Sequence, residues 1–291
     1  MRKRPDTVAS SYWRTVIGVC AGVAILVIGS WTGHVAKADE VNCSEFKCIA
    51  LTFDDGPSPY TDRLLQILKD NDAKATFFEI GNKVAANPEG AKRVVDAGME
   101  LGNHTWEHPN MTAIPPEDIP AQFSKASDAI EAATGQRPKL TRTAGGLIND
   151  AVLAEAKKQG LADINWDVIP FDWANDANTG ATRYTLMHQI KPNSVVLFHD
   201  TYSSTVDLVQ QFIPVLKANG YHMVTVTQMI GEREPGTSYG SRDNSPPANE
   251  LVDIPPGEIP SLPDTPSPPP MPNMKITDIP GANSGGVNNG A

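Results

Sequence analysis

Two adjacent carboxylates, Asp54 and Asp55, close an apolar run that begins at Cys48, and Gly56-Pro57 follows them at once. Taken alone, Asp-Asp-Gly-Pro is turn chemistry, and a solvated acidic pair in a turn needs no further reason. Out of water the two charges would repel and be costly. A second cluster changes that balance. His104 and His108 stand four apart in His-Thr-Trp-Glu-His, so one helical turn or a tight loop points both imidazoles the same way. Two histidines and a carboxylate are a common catalytic zinc set that leaves a coordination position for water. A cation shared by one aspartate and both histidines offsets the repulsion inside the acidic pair. The other aspartate is then placed to take a proton from the bound water.

Something must bring these distant residues together. Short apolar runs predict strands at 47–53, 75–80, 99–103, 139–142, 162–167, 194–198 and 222–226. Amphipathic stretches between them predict helices at 60–70, 82–97, 117–133, 150–159, 182–190 and 206–218. Such alternation means parallel strands joined by helices. Seven strands suit a closed or nearly closed (β/α) barrel, with an open doubly wound sheet as the alternative. No nucleotide-binding glycine fingerprint follows the first strand, which weakens the open sheet. In a parallel barrel the functional residues gather at the C-terminal strand ends. Asp54-Asp55 end the first strand, His104–His108 the third and Arg142 the fourth. Phe171-Asp172-Trp173 follow the fifth, and Leu197-Phe198-His199-Asp200 end the sixth. Trp106, Trp166 and Asp200 read as packing or structural residues.

The two ends of the chain are of another kind. A basic start (Arg2, Lys3, Arg4), an uncharged apolar stretch from Val16 to Gly33 and an Ala36-Lys37-Ala38 site make residues 1–38 a secretory signal or an uncleaved membrane anchor. The expected location is therefore extracytoplasmic: secreted, wall-associated or held to the membrane by this segment alone. Removing it takes away five of 24 Lys/Arg and one of 34 Asp/Glu, so the net charge moves from −10 to −14. So acidic a body excludes charge-driven binding to nucleic acid or anionic lipid. Cys43 and Cys48 remain, and an oxidising compartment predicts one small disulfide between them. From residue 234 to 291 the chain is rich in Pro, Asn, Ser and Gly and lacks the apolar content for a core. The expected domain is therefore 39–233, and a chain ending near Glu234 is expected to keep the fold and every motif.

The strand-end residues resemble the polysaccharide deacetylase family, the NodB-homology carbohydrate esterases of family four. The resemblance runs from about Ala50 to Ile230, with five motifs in order. Thr52-Phe53-Asp54-Asp55-Gly56-Pro57 is a full match and implies Asp54 as catalytic base and Asp55 as metal ligand. His104-Thr105-Trp106-Glu107-His108 is also complete and implies His104 and His108 as the other ligands. The third motif departs from the family's Arg-Pro-Pro-Tyr-Gly, reading Arg142-Thr143-Ala144-Gly145-Gly146. Arg142 can still orient Asp54, and Gly145 keeps a backbone N–H where the family holds its oxyanion. Asp172-Trp173 matches the fourth motif, with Asp172 orienting the acid and Trp173 walling a slot for the acetyl methyl. In the fifth, Leu197 lines that slot and His199 protonates the leaving amine.

The family fold is a distorted (β/α) barrel, in agreement with the strand count. The implied activity is metal-dependent removal of N-acetyl groups from a polysaccharide, peptidoglycan foremost, by attack of metal-bound water. Zinc is the expected divalent ion, with cobalt or manganese as substitutes. An O-acetyl esterase on the same scaffold and a non-catalytic wall-binding protein are the alternatives.

Overall fold

The computed structural model describes residues 41–240 and Leu251. The expected signal or anchor at 1–38 and nearly all of the Pro-rich tail lie outside the described residues. Among those described, no helix is long and apolar enough to cross a membrane.

The elements alternate as β1 (Lys47–Gly56), α1 (Thr61–Asp70), β2 (Ala75–Glu79), α2 (Gly81–Ala86), α3 (Pro88–Asp96), β3 (Glu100–Asn103), α4 (Ile119–Thr134) and β4 (Leu140–Thr141). They continue as α5 (Asp150–Lys158), β5 (Ala162–Ile164), α6 (Thr179–Gln189), β6 (Ser194–His199), α7 (Ser203–Ala218), β7 (Tyr221–Met223), α8 (Val226–Ile230) and β8 (Ser238–Tyr239). The sheet runs β6-β1-β2-β3-β4-β5-β8, and β7 joins β1 through Lys47–Ile49. Every pairing is parallel. Past β5, Val168 bridges to Val196 of β6, and Leu197 N–H donates to the Val168 carbonyl at 3.0 Å. That short contact is the link between β5 and β6 in an otherwise open sheet, so the parallel strands form a half-barrel and not a closed one.

A strand buried on both faces reads as a continuous apolar run, and its alternation then separates two cores. Along β1, Ile49, Leu51 and Phe53 pack outward among the helices with Phe77 and Phe198. Cys48 and Ala50 face inward with Phe78, Leu140, Ile164, Trp166 and Leu197. The same parity carries Thr52 and Asp54, and on β6 His199, to the inner side. The expected disulfide joins Cys43 to Cys48 at the start of β1.

Several boundaries move. The single helix expected over 82–97 is two, because Asn87 precedes Pro88 and leaves the helical region (φ −139°, ψ 67°). Its side chain then caps α3 by accepting from Gly90 N–H at 3.1 Å. The seventh strand stops at Met223, since Thr225 and Gln228 form a reciprocal capping box that starts α8. The domain boundary at 233 is too early. Asp163 N–H donates to the Thr237 carbonyl and Asn165 N–H to that of Tyr239, so β8 pairs with β5 beyond it. Pairing there runs through backbone groups, which leave no hydrophobic pattern in the sequence. Leu251 also returns to the outer core and donates to the Met187 carbonyl.

Candidate active site

Adjacent residues of a regular strand point to opposite faces, so Asp54 and Asp55 could not both reach one site on unbroken β1. The register between β1 and β2 slips between Asp54 and Gly56, and Asp55 takes a left-handed φ of 74°. This bulge turns the second carboxylate back to the side of the first. Asp54 is buried and pairs in register with His199 of β6. Its Oδ1 accepts from Arg142 Nη1 at 2.8 Å.

Arg142 is wholly buried and ties three strands together. Nη1 also donates to Thr52 Oγ1 at 2.8 Å, Nε to the Ile164 carbonyl at 2.8 Å and Nη2 to the Asn165 carbonyl at 3.3 Å. The guanidinium lies 4.2 Å over the Phe78 ring, so its flat face is packed while its edge is bonded.

His104 and His108 lie on a loop after β3, not on a helical turn. Thr105 (φ 65°) and His108 (φ 59°) are both left-handed, which folds the loop tightly enough to hold the two rings 4.7 Å apart. His104 Nδ1 sits 2.6 Å from the Arg142 carbonyl and can only donate there, which leaves Nε2 for the site. Both Nε2 atoms lie 3.3 Å from Asp55 Oδ1, an oxygen with no hydrogen-bond partner. One ligand atom from each of Asp55, His104 and His108 falls within 4.8 Å of the others, so the donor set fits a single divalent cation. Burial acts to raise the Asp55 pKa. The close approach of His104 and the charges of His104, His108 and His199 outweigh it and hold this carboxyl well below the usual range.

Across the β1–β6 register the His199 side is equally built. His199 Nδ1 donates to Asp172 Oδ1 at 3.0 Å, and the His199 backbone N–H donates to Oδ2 at 2.7 Å. Thr205 Oγ1 donates to the same Oδ2 at 2.9 Å, so Asp172 is fully held. Burial alone would lower the His199 pKa. The Asp172 bond and charge, with Asp54 and Asp55 behind them, raise it.

All ten residues expected at the site come together there. Asp54, Asp55, His104, His108, Gly145, Trp173, Leu197 and His199 line one cleft of about 420 Å³, and Arg142 and Asp172 brace it from beneath. The Trp173 ring meets His199 edge-on at 4.9 Å. Gly145 has φ 60°, a conformation that favours glycine, in the loop where the third motif departs from its pattern.

Sequence reasoning missed Ile169 and Tyr202, which line the cleft, and gave Trp166 only a packing role. Tyr202, three residues past His199, was within reach of the fifth motif; Ile169 left no signal. Lys83 was also missed: its Nζ donates to the Asp55 carbonyl at 2.8 Å.

Beneath Asp55 lies a second acidic pair. A Cβ on Gly56 would stand 2.7 Å from Glu79 Oε2 and 3.1 Å from Asp200 Oδ1, so only glycine fits between them. Burial, then the Asp200 charge, pushes Glu79 well above the carboxylate range. Burial likewise lifts Asp200 to about 6, against the hydrogen bond from Thr61 Oγ1.

Residues 42–164 match the family described as polysaccharide deacetylase. A peptidoglycan-N-acetylglucosamine deacetylase of Bacillus cereus is 37% identical over 205 residues, covering 68% of this chain and 94% of its own. The chain belongs to the polysaccharide deacetylase family. The peptidoglycan-N-acetylmuramic acid deacetylase PdaC of Bacillus subtilis is 38% identical over 63% of this chain. The match spans only 38% of that relative's length. Among solved structures, a T48 deacetylase with substrate superposes with a TM-score of 0.65 at 35% identity, covering 68% of this chain and 99% of the other. A CE4 family pseudoenzyme from Bacillus anthracis superposes at 0.61 with 33% identity, covering 67% and 70%. The family therefore holds proteins of this fold both with and without activity.

Proposed function

We propose that this member of the polysaccharide deacetylase family removes N-acetyl groups from amino sugars of a cell-wall glycan, peptidoglycan foremost, outside the cytoplasm. One observation carries the reading. Asp55 Oδ1 lacks a hydrogen-bond partner and faces two imidazole Nε2 atoms at 3.3 Å, in the same cleft as Asp54 and His199. Asp55, His104 and His108 would hold one divalent cation, zinc by its donor set, with cobalt or manganese as substitutes. Bound there, the ion supplies Lewis-acid polarisation of the acetamide carbonyl and of water.

The chain's own residues do the rest. Asp54, oriented by Arg142, takes the proton of the water that attacks the carbonyl carbon. The Gly145 backbone N–H donates to the oxygen on which charge develops. His199 gives its Nε2 proton to the departing amine, while Asp172 on Nδ1 holds the ring's tautomer and its positive charge. Trp173 and Leu197 wall the acetyl methyl. Residues 1–38 serve as the export signal or anchor, which places the site where wall glycan is. Relatives named for peptidoglycan support that substrate.

The test is incubation of purified protein with peptidoglycan and with chitooligosaccharides, with and without chelator, scoring new free amines. Amines that appear and vanish with chelator are expected. The glycine-bearing third motif, Arg142 to Gly146, and the pseudoenzyme among the similar structures favour a second reading, a non-catalytic wall binder. That reading gains if no glycan yields amines with metal supplied. Acetate released without new amines would favour the O-acetyl esterase.

A further inference from the structure

Phe171 stands in the turn that leads from β5 to Asp172, with a left-handed φ of 55° and 41% of its surface exposed. Each property alone is ordinary or tolerable; together they are not. A bulky residue at positive φ carries steric strain that glycine would avoid and asparagine would reduce. The turn itself is used: the Phe171 carbonyl accepts from the N–H groups of Ala174 and Asn175, and Asp172 is thereby aimed back at His199. None of that requires a phenyl ring. The ring gains little burial in return, so neither the backbone nor the core accounts for it.

What the ring does touch is Trp173, at 5.5 Å between centroids. Trp173 is itself 37% exposed and meets His199 at 4.9 Å. Three rings thus run in sequence from the cleft to the surface, the outer two forming an exposed aromatic shelf beside the site. An aromatic face in water suits a ligand with one apolar face and polar edges. A pyranose has that form, with axial C–H groups on its faces and hydroxyl and acetamido groups at its rim. The chain's net charge of −10 disfavours an anionic ligand and leaves a neutral sugar unopposed.

We propose that Phe171 is a glycan-binding residue outside the catalytic cleft, stacking on a sugar next to the one whose acetamide enters it. This rests on the deacetylase reading only for which sugar is being processed. The shelf selects chains over single sugars. Its loss raises KM more than it lowers kcat, because a sugar away from the reacting bond is held alike in ground and transition states.

The experiment compares full-length wild type, Phe171→Ala, Phe171→Asn and Phe171→Tyr with N-acetylated chitotetraose and with N-acetylglucosamine. Both Kd by titration calorimetry and KM for amine release are measured. Calorimetry needs no turnover, so it tests the shelf even where the deacetylase reading fails. Phe171→Ala is expected to weaken tetraose binding roughly tenfold, the scale of one half-buried aromatic side chain. The effect on the single sugar should be much smaller. Phe171→Asn, which accepts the left-handed turn, should lose as much on the tetraose, and Phe171→Tyr should restore binding. Equal losses on both sugars, rescue by Asn, or an unchanged tetraose Kd would each overturn the proposal.

Discussion

Asp54 and His199 are proposed to move protons without ligating metal, and that separates them from their neighbours. Asp54→Asn and His199→Ala should each keep bound metal near the wild-type level. Amine release should fall by roughly two orders of magnitude or more, the scale of losing a positioned acid or base. His104→Ala or His108→Ala should instead lower metal content and activity together, read by metal analysis of the purified protein. The His199–Asp172 pair adds a pH signature. Asp172 raises the His199 pKa, so the protonated acid persists to higher pH. A reaction that needs the protonated ring is lost as pH rises through that pKa. Asp172→Asn withdraws the raising charge, so the alkaline limb of kcat should move to lower pH. A limb that stays in place would remove His199 as the acid.

At the scale of elements, β8 is the piece most easily discarded by mistake. It carries two residues and no apolar stripe, yet it covers the outer edge of β5. Ser238 Oγ donates to Asp163 Oδ2 at 2.6 Å, and Asn165 Nδ2 donates to the same oxygen at 2.8 Å. Burial lifts Asp163 to about 6, against those two bonds and the Arg142 charge. Ser238→Ala removes one donor from a buried carboxylate and should cost about 1–3 kcal/mol by urea unfolding. A chain ended at Arg233 should lose more, because two β5-edge N–H groups also lose their partners. One ended after Leu251 should match the full chain. Equal stability of all three would show that β8 contributes nothing to the barrel.

For the whole molecule, the carboxyl pair behind Asp55 sets a stability profile. Glu79 and Asp200 hold protons more tightly folded than unfolded, since burial raises both. Between the ordinary carboxylate range and their folded pKa values the native state binds more protons. Stability therefore falls as pH rises through that window, and the penalty is complete above about 6 for Asp200. Neither Glu79 oxygen has a hydrogen-bond partner, so Glu79→Gln removes a charge and breaks no bond. It should raise Tm at pH 8 by roughly 2–4 °C, the shift that about 1 kcal/mol gives in a chain of this size. At pH 4 the gain should shrink or vanish. A gain independent of pH would point to packing instead of charge.

Residue types at strand ends were legible without coordinates, because metal ligands and proton carriers come from few side chains and a parallel barrel offers them one rim. The β/α order was equally legible, since buried parallel strands are uninterrupted apolar runs such as Cys48–Phe53. Parity was not. Only the bulge at Asp55 puts both aspartates on one side, and a bulge is a backbone event that Asp-Asp-Gly-Pro does not distinguish from a turn. The support of Arg142 was hidden for the same reason: carbonyls of Ile164 and Asn165 receive it, and any residue has a carbonyl. Glu79 and Asp200 lie far apart along the chain and become a pair only when β2 and the end of β6 meet around Gly56. Side-chain chemistry is written residue by residue, whereas register, backbone donors and burial exist only once the chain has closed on itself.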